Sequence, residues 1–103
     1  MINSTVILGS TGSIGRQSAA VCERLGIRVP PLAANRSVEL LLKQVETFAP
    51  EYVSAAEPEA NRRLREALSG RDITVGPPGE EGLRIAAAWP GADCVVTAVS
   101  GAI

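Results

Sequence analysis

The stretch Ile7-Leu8-Gly9-Ser10-Thr11-Gly12-Ser13-Ile14-Gly15 decides how this chain reads. It grows out of Ser4-Thr5-Val6-Ile7-Leu8, a β-branched and apolar run that reads as a buried strand. From Ser13 the period turns helical, with Ile14, Val21, Cys22 and Leu25 expected on one inward face and Gly26 as the stop. The glycines therefore fall at a strand-to-helix turn. Gly9 lets the chain turn sharply off the strand, and Gly12 removes a side chain so that backbone N–H groups can approach an anion. Gly15 lets the helix pack closely on the sheet. The unpaired N–H groups of the first helical turn and the positive end of the helix dipole favour that anion. Thr11 and Ser13 add hydroxyl donors.

A strand, a glycine loop and a helix in that order are the context of a dinucleotide-binding loop, in which the anion is a pyrophosphate. The spacing here is G-x-x-G-x-x-G rather than G-x-G-x-x-G. It is not a P-loop, because no Gly-Lys-Ser/Thr follows and Arg16 stands after the last glycine. The plainer reading is a glycine-rich turn with no ligand. A second strand is expected over Ile27 to Ala34, with Pro30-Pro31 making its first half irregular. Its end bears on the choice of nucleotide. A site for NADH usually carries Asp or Glu there to accept from the ribose hydroxyls. Ala33-Ala34-Asn35-Arg36-Ser37 has no carboxylate. Arg36 can pair with a 2′-phosphate, and Asn35 and Ser37 can donate to its oxygens, so NADPH is expected over NADH. The alternative for Arg36 is a solvated loop residue.

Strand and helix alternate along the rest of the chain. Ser37 reads as an N-cap with Glu39 in the first turn, and Val38, Leu41, Leu42, Val45, Phe48 and Ala49 give an amphipathic helix ended by Pro50. Tyr52-Val53-Ser54-Ala55 is a third strand, and Pro58 opens a third helix that turns Ala60, Leu64, Ala67 and Leu68 inward and closes at Gly70. Its face of Arg62, Arg63, Arg65 and Glu66 reads as solvated. Asp72-Ile73-Thr74-Val75 is a fourth strand, and Glu80-Glu81 begin a short helix through Ala88, their carboxylates placed for its dipole. Asp93 to Val99 is the strongest strand, apolar on both faces as a central parallel strand should be. The expected fold is α/β: a Rossmann-like, open, mostly parallel sheet with helices on both faces, cut off after the fifth strand.

Composition narrows the chemistry. The 103 residues carry a net charge of −1 and are 46% hydrophobic and 20% charged, which suits one domain and argues against a nucleic-acid or membrane-surface patch. No apolar run reaches the roughly 18–20 residues of a membrane helix. Cys22 and Cys94 read as reduced core thiols. The absence of histidine excludes a Ser–His or Cys–His nucleophile and an imidazole metal site. Phe48, Tyr52 and Trp89 are too few for a nucleic-acid stacking platform.

With these residues in view, Ile7 to Gly15 resembles the opening of the 1-deoxy-D-xylulose-5-phosphate reductoisomerase family. Agreeing in order are Ala34-Asn35-Arg36-Ser37-Val38, Phe48-Ala49-Pro50 before Tyr52-Val53-Ser54, and Gly79-Glu80-Glu81-Gly82-Leu83. Asp93-Cys94-Val95-Val96 running into Ser100-Gly101-Ala102 is similar to the strand before that family's catalytic region. The resemblance spans essentially the whole chain. It implies residues 1–103 as the NADPH-binding part of an NADP-dependent oxidoreductase of non-mevalonate isoprenoid biosynthesis, bacterial and cytoplasmic. That enzyme converts 1-deoxy-D-xylulose 5-phosphate to 2-C-methyl-D-erythritol 4-phosphate.

The resemblance places Thr11, Gly12, Ser13 and Ile14 at the pyrophosphate, Asn35, Arg36 and Ser37 at the 2′-phosphate, and Ser100 and Gly101 under the nicotinamide. The family often has Gly and Asn where this chain has Asn35 and Ser37. Its divalent metal (Mg or Mn) is bound beyond position 103, as are its Asn-Lys-Glu segment and its other domains. No catalytic or metal-binding residue is therefore expected here, and the 103 residues alone are expected to be inactive. The implied partners are NADPH, the missing catalytic domain and, for the whole enzyme, a second copy; neither nucleic acid nor membrane is expected. Alternatives are the NADP-binding domain of a semialdehyde dehydrogenase, a non-catalytic nucleotide-binding module, and a structural α/β domain with an empty crevice.

Overall fold

The computed structural model describes residues 3–10 and 12–97, and the side chains of all these except Ser13, Cys94, Val96 and Thr97. Nine elements alternate: β1 (Thr5–Leu8), α1 (Ser13–Leu25), β2 (Pro31–Ala34), α2 (Val38–Phe48), β3 (Tyr52–Ala55), α3 (Pro58–Ala67), β4 (Thr74–Val75), α4 (Gly79–Ala87) and β5 (Cys94–Thr97). The strands form one sheet in the order β4-β3-β2-β1-β5. Every pairing is parallel, with Ile7 opposite Leu32 and Val96, Leu32 opposite Val53, and Tyr52 opposite Thr74.

That order fixes the layers. From β1 to β4 the chain steps the same way across the sheet each time, so the connecting helices share a face. Ile7, Leu32, Ala34, Val53 and Ala55 are buried there with Ala19 and Cys22 of α1, Val38, Leu41 and Val45 of α2, and Ala60 and Leu64 of α3. The return from β4 to β5 carries α4 over the opposite face. Val6, Leu8, Ala33 and Tyr52 pack there with Ala86, and Leu83, Ile85 and Trp89 flank them. The two-residue side-chain period of each strand feeds both cores. This is the Rossmann-like fold expected, with helices on both faces.

Four details differ from expectation. On α1, Ile14, Val21 and Leu25 are 63%, 40% and 65% exposed, and the helix meets the sheet through Gly15, Ala19 and Cys22. Small residues let the helix lie close to the strands, and the larger ones are rotated outward. Ala67 likewise faces solvent, and Asn61 takes a buried place on α3. Its Oδ1 accepts from Ala55 N at 2.9 Å and its Nδ2 donates to Gly76 O at 2.9 Å, so the amide is satisfied within the core. β5 is an edge strand among the described residues, and Val95 is 44% exposed. Finally, β2 and β4 are shorter than the expected runs. Pro30 and Pro31 leave Arg28 only an isolated bridge to Ser4, and β4 pairs through Thr74 and Val75 alone.

Cys22 is a buried thiol, as expected, while the Cys94 side chain and residues 98 and 99 of the expected last strand lie outside the described part. The basic face of α3 is solvent-exposed and ion-paired: Arg62 with Glu59 and Glu66, and Arg63 with Glu39 of α2.

Candidate nucleotide-binding site at the carboxyl end of the sheet

β1 has β2 on one side and β5 on the other, so the chain leaves β1 in one direction and β5 arrives from the other. Connections diverge above such a point and leave a crevice at the carboxyl ends of the strands, where open α/β sheets bind ligands. The glycine loop lies there, immediately after Leu8.

Its conformation is set by backbone contacts. Gly9 has φ 81°, a left-handed conformation that favours glycine. Its N–H and that of Ser10 both donate to Ala33 O, at 2.7 and 2.9 Å, which ties the loop to the end of β2. Gly12 N donates to Gly9 O at 3.1 Å, and Arg16 N to Gly12 O at 2.8 Å as the helix begins. Gly15 sits so close beneath the loop that a Cβ on it would lie 2.0 Å from Gly9 O and 2.8 Å from Ser10 Cα. Gly9 thus turns the chain in a left-handed conformation, and Gly15 lets α1 lie against the loop backbone.

The N-terminus of α1 is left open by the described side chains. Gly12 is the N-cap in extended conformation, no side chain caps it, and no acidic residue occupies the first turn. Elsewhere the first turns carry Glu39, Glu59, and Glu80 with Glu81. Hydrogen bonds from its own backbone N–H and from the Arg63 guanidinium hold the Glu39 carboxyl below the usual glutamate range. Of the four described helix starts, α1 is the one with no carboxylate in its first turn. The residues at this helix start, Ser13, Ile14 and Gly15, can therefore offer backbone N–H groups to an anion, while the Gly12 N–H is held by Gly9 O.

The second expected cluster follows β2, the neighbour of β1. Asn35 and Arg36 are exposed, and Arg36 makes no ion pair among the described residues. Ser37 holds the N-cap position of α2, but its hydroxyl makes no capping hydrogen bond. The backbone here is nonetheless fixed: Ala56 N donates to Ala34 O and Glu57 N to Asn35 O, at 2.9 and 3.0 Å. The structure therefore brings the Gly9–Gly15 and Asn35–Ser37 segments to the ends of adjacent strands, joined through Ala33. Thr11, Ser100, Gly101 and the Ser13 side chain lie outside the described residues.

One residue at this end had no expected role. Gln44, on α2, donates from Nε2 to Ser10 O at 2.8 Å. The signal was present in the pattern, because 41, 44, 45 and 48 fall on one arc of a helix and an amide there sits among inward residues. Among the described residues, no group of three or more His, Cys, Asp or Glu could hold a metal ion.

Comparisons with known proteins agree with this geometry. The sequence profile of the 1-deoxy-D-xylulose 5-phosphate reductoisomerase family matches residues 5–103. The reductoisomerase of Heliobacterium modesticaldum is 48% identical over 106 residues, covering 100% of this chain and 27% of that protein. That of a Synechococcus species is 42% identical over 102 residues, covering 92% of this chain and 25% of its own length. The solved Zymomonas mobilis reductoisomerase in complex with NADPH superposes with a TM-score of 0.81 at 31% identity, over 96% of this chain and 26% of that one. A DOX-P reductoisomerase in complex with magnesium gives 0.87 at 30% identity, over 99% and 26%. The chain spans about a quarter of the length of these relatives. Sequence profile, relatives and superposed folds converge, and the chain belongs to the 1-deoxy-D-xylulose 5-phosphate reductoisomerase family.

Proposed function

We propose that this chain is the NADPH-binding part of a reductoisomerase that converts 1-deoxy-D-xylulose 5-phosphate to 2-C-methyl-D-erythritol 4-phosphate in isoprenoid biosynthesis. The observation that carries the reading is the open N-terminus of α1 beneath a backbone-built glycine loop, beside a carboxylate-free loop bearing Arg36. The solved relative with bound NADPH supports it. When bound, NADPH supplies the hydride for the reduction. The chain's own residues bind and orient. Gly9, Gly12, Gly15 and the backbone at Ser13 and Ile14 receive the pyrophosphate, with Thr11 beside them. Arg36 takes the 2′-phosphate, with Asn35 and Ser37 as further donors, and Ser100 and Gly101 support the nicotinamide.

Magnesium is present in a solved relative, and the proposal assigns its ligands to residues beyond position 103. The family match favours this reading over a semialdehyde dehydrogenase or a stand-alone binding module. A bacterial, cytoplasmic, homodimeric enzyme completes the proposal, with NADPH and the catalytic domain as partners rather than nucleic acid or membrane. No described helix is long and apolar enough to cross a membrane.

The test is cofactor titration of the natural full-length protein, followed by assay with 1-deoxy-D-xylulose 5-phosphate and magnesium. NADPH is expected to bind more tightly than NADH and to be oxidised as substrate is consumed. Absence of NADPH binding at millimolar concentration would leave a structural α/β domain in its place.

A further inference from the structure

We infer that Gln44 is a positioning residue for the pyrophosphate loop, holding the Ser10 carbonyl turned away from the anion. Ser10 is fully buried at the point where the chain leaves β1 for the glycine loop. Its two peptide groups are held from opposite partners: its N–H donates to Ala33 O at 2.9 Å, and its C=O accepts from Gln44 Nε2 at 2.8 Å. The second bond matters for an anion site. A loop that offers N–H groups to phosphate fails if one of its peptides flips, because a carbonyl oxygen then faces the negative charge. Glycine-rich loops are the segments most free to flip. The Gln44 amide donates to the Ser10 carbonyl and so opposes that alternative at this point of the loop.

The amide is a poor device for stability alone. Its Oε1 and the Ser10 Oγ are both buried without a hydrogen-bond partner among the described residues. An apolar side chain of similar length between Leu41, Val45 and Phe48 would bury no unpaired Oε1, and would give up only the bond to the Ser10 carbonyl. Gln44 also sits two turns into α2, the helix that starts directly after the Asn35–Ser37 loop. One rigid helix thus bears on both expected anion contacts, at its start through Arg36 and Ser37 and further along through Gln44.

The inference rests on the NADPH-binding reading, and it predicts a pattern different from that of Arg36. The pyrophosphate is common to NADPH and NADH, so loss of the Gln44 donor weakens both equally. In the natural full-length protein, Gln44→Met is expected to raise Kd for NADPH and for NADH each by about tenfold, with kcat kept and the thermal midpoint lowered only modestly by the unpaired Ser10 carbonyl. Gln44→Glu is expected to bind poorly at about pH 8, where a carboxylate repels the Ser10 carbonyl. It should recover relative to wild type as pH is lowered and the carboxyl, whose charged form is disfavoured beside the buried Ser10 carbonyl, takes up a proton and can donate. Wild-type affinity for both cofactors in Gln44→Met would overturn the inference, as would a loss confined to NADPH. So would a Gln44→Met protein that merely unfolds, paired with a Gln44→Glu protein that shows no recovery in acid. A wild-type protein that binds neither cofactor overturns the functional reading and this inference together, whereas normal wild-type binding with an indifferent Gln44→Met removes this inference alone.

Discussion

The two ends of the sheet treat polar groups in opposite ways. At the amino end they are paired within the chain. The Asp93 carboxylate accepts from Asn3 N and Ser4 N, Ser4 Oγ donates to Gly91 O, and Trp89 Nε1 donates to Glu51 Oε1. The helix C-termini there are closed as well, by Gly26 after α1 and by Ala49 after α2. Among the described residues at the carboxyl end, no side chain caps the N-terminus of α1, the Ser37 hydroxyl makes no capping hydrogen bond, and Arg36 has no ion pair. One fold thus completes its hydrogen bonds where it has only to hold together. It leaves donors open where an anionic cofactor is proposed to complete them. Substitutions at the carboxyl end should then cost binding, and substitutions at the amino end should cost stability.

Gly15→Ala is the largest expected effect and the one place where the two costs merge. A Cβ 2.0 Å from Gly9 O meets backbone, which cannot rotate away as a side chain would. The helix must move off the loop, and overpacking of this kind costs about 3 kcal/mol. Displacing the helix start also moves the N–H groups offered to the pyrophosphate, so NADPH affinity should fall roughly a hundredfold. Thermal unfolding and cofactor titration read the two losses. A Gly15→Ala protein with the wild-type midpoint would mean that the close approach is not a constraint.

Arg36→Ala separates the costs. The side chain is exposed, so stability should stay within about 0.5 kcal/mol of wild type. Loss of a charge-assisted contact to the 2′-phosphate should weaken NADPH by about 1.5–3 kcal/mol, and NADH, which lacks that phosphate, should be unaffected. Equal weakening of the two cofactors would move Arg36 away from the 2′-phosphate and blur its contrast with Gln44.

What could be read in the sequence follows the same division. The strand-helix alternation was legible because short apolar runs are punctuated, Thr5–Leu8 by Gly9 and Tyr52–Ala55 by Glu51 before it and Glu57-Pro58 soon after, and because Pro50 and Gly26 mark helix ends. The glycine loop was legible because its conformation depends on what glycine lacks. The inward face of α1 was misjudged because periodicity weights large apolar residues, whereas close packing on the strands selected Gly15, Ala19 and Cys22 and left Ile14, Val21 and Leu25 outside. Gln44 and Asn61 escaped for a related reason. A polar side chain on a helix reads as solvent-facing until its position on the inner arc is counted, and its partners, Ser10 O and Gly76 O, lie 34 and 15 residues away.

The smallest expected effect lies at the amino end and tests the other half of the contrast. Hydrogen bonds from Asn3 N and Ser4 N hold the Asp93 carboxyl below the usual aspartate range, and Asp93 N returns a bond to Ser4 O at 3.0 Å, tying the start of β5 to the start of β1. A depressed folded-state value means that the ionised carboxylate stabilises the fold. That contribution is fully present above the unfolded-state value and is lost as pH falls through the folded one. Asp93→Asn should therefore lower the thermal midpoint slightly at neutral pH, with cofactor affinity unchanged. The gap between wild type and variant should close in acid, once the wild-type carboxyl is protonated. The site is solvent-exposed, so the effect stays small. A variant that kept its midpoint but lost NADPH affinity would reverse the assignment of the two ends, placing a binding role where the chain satisfies its own polar groups.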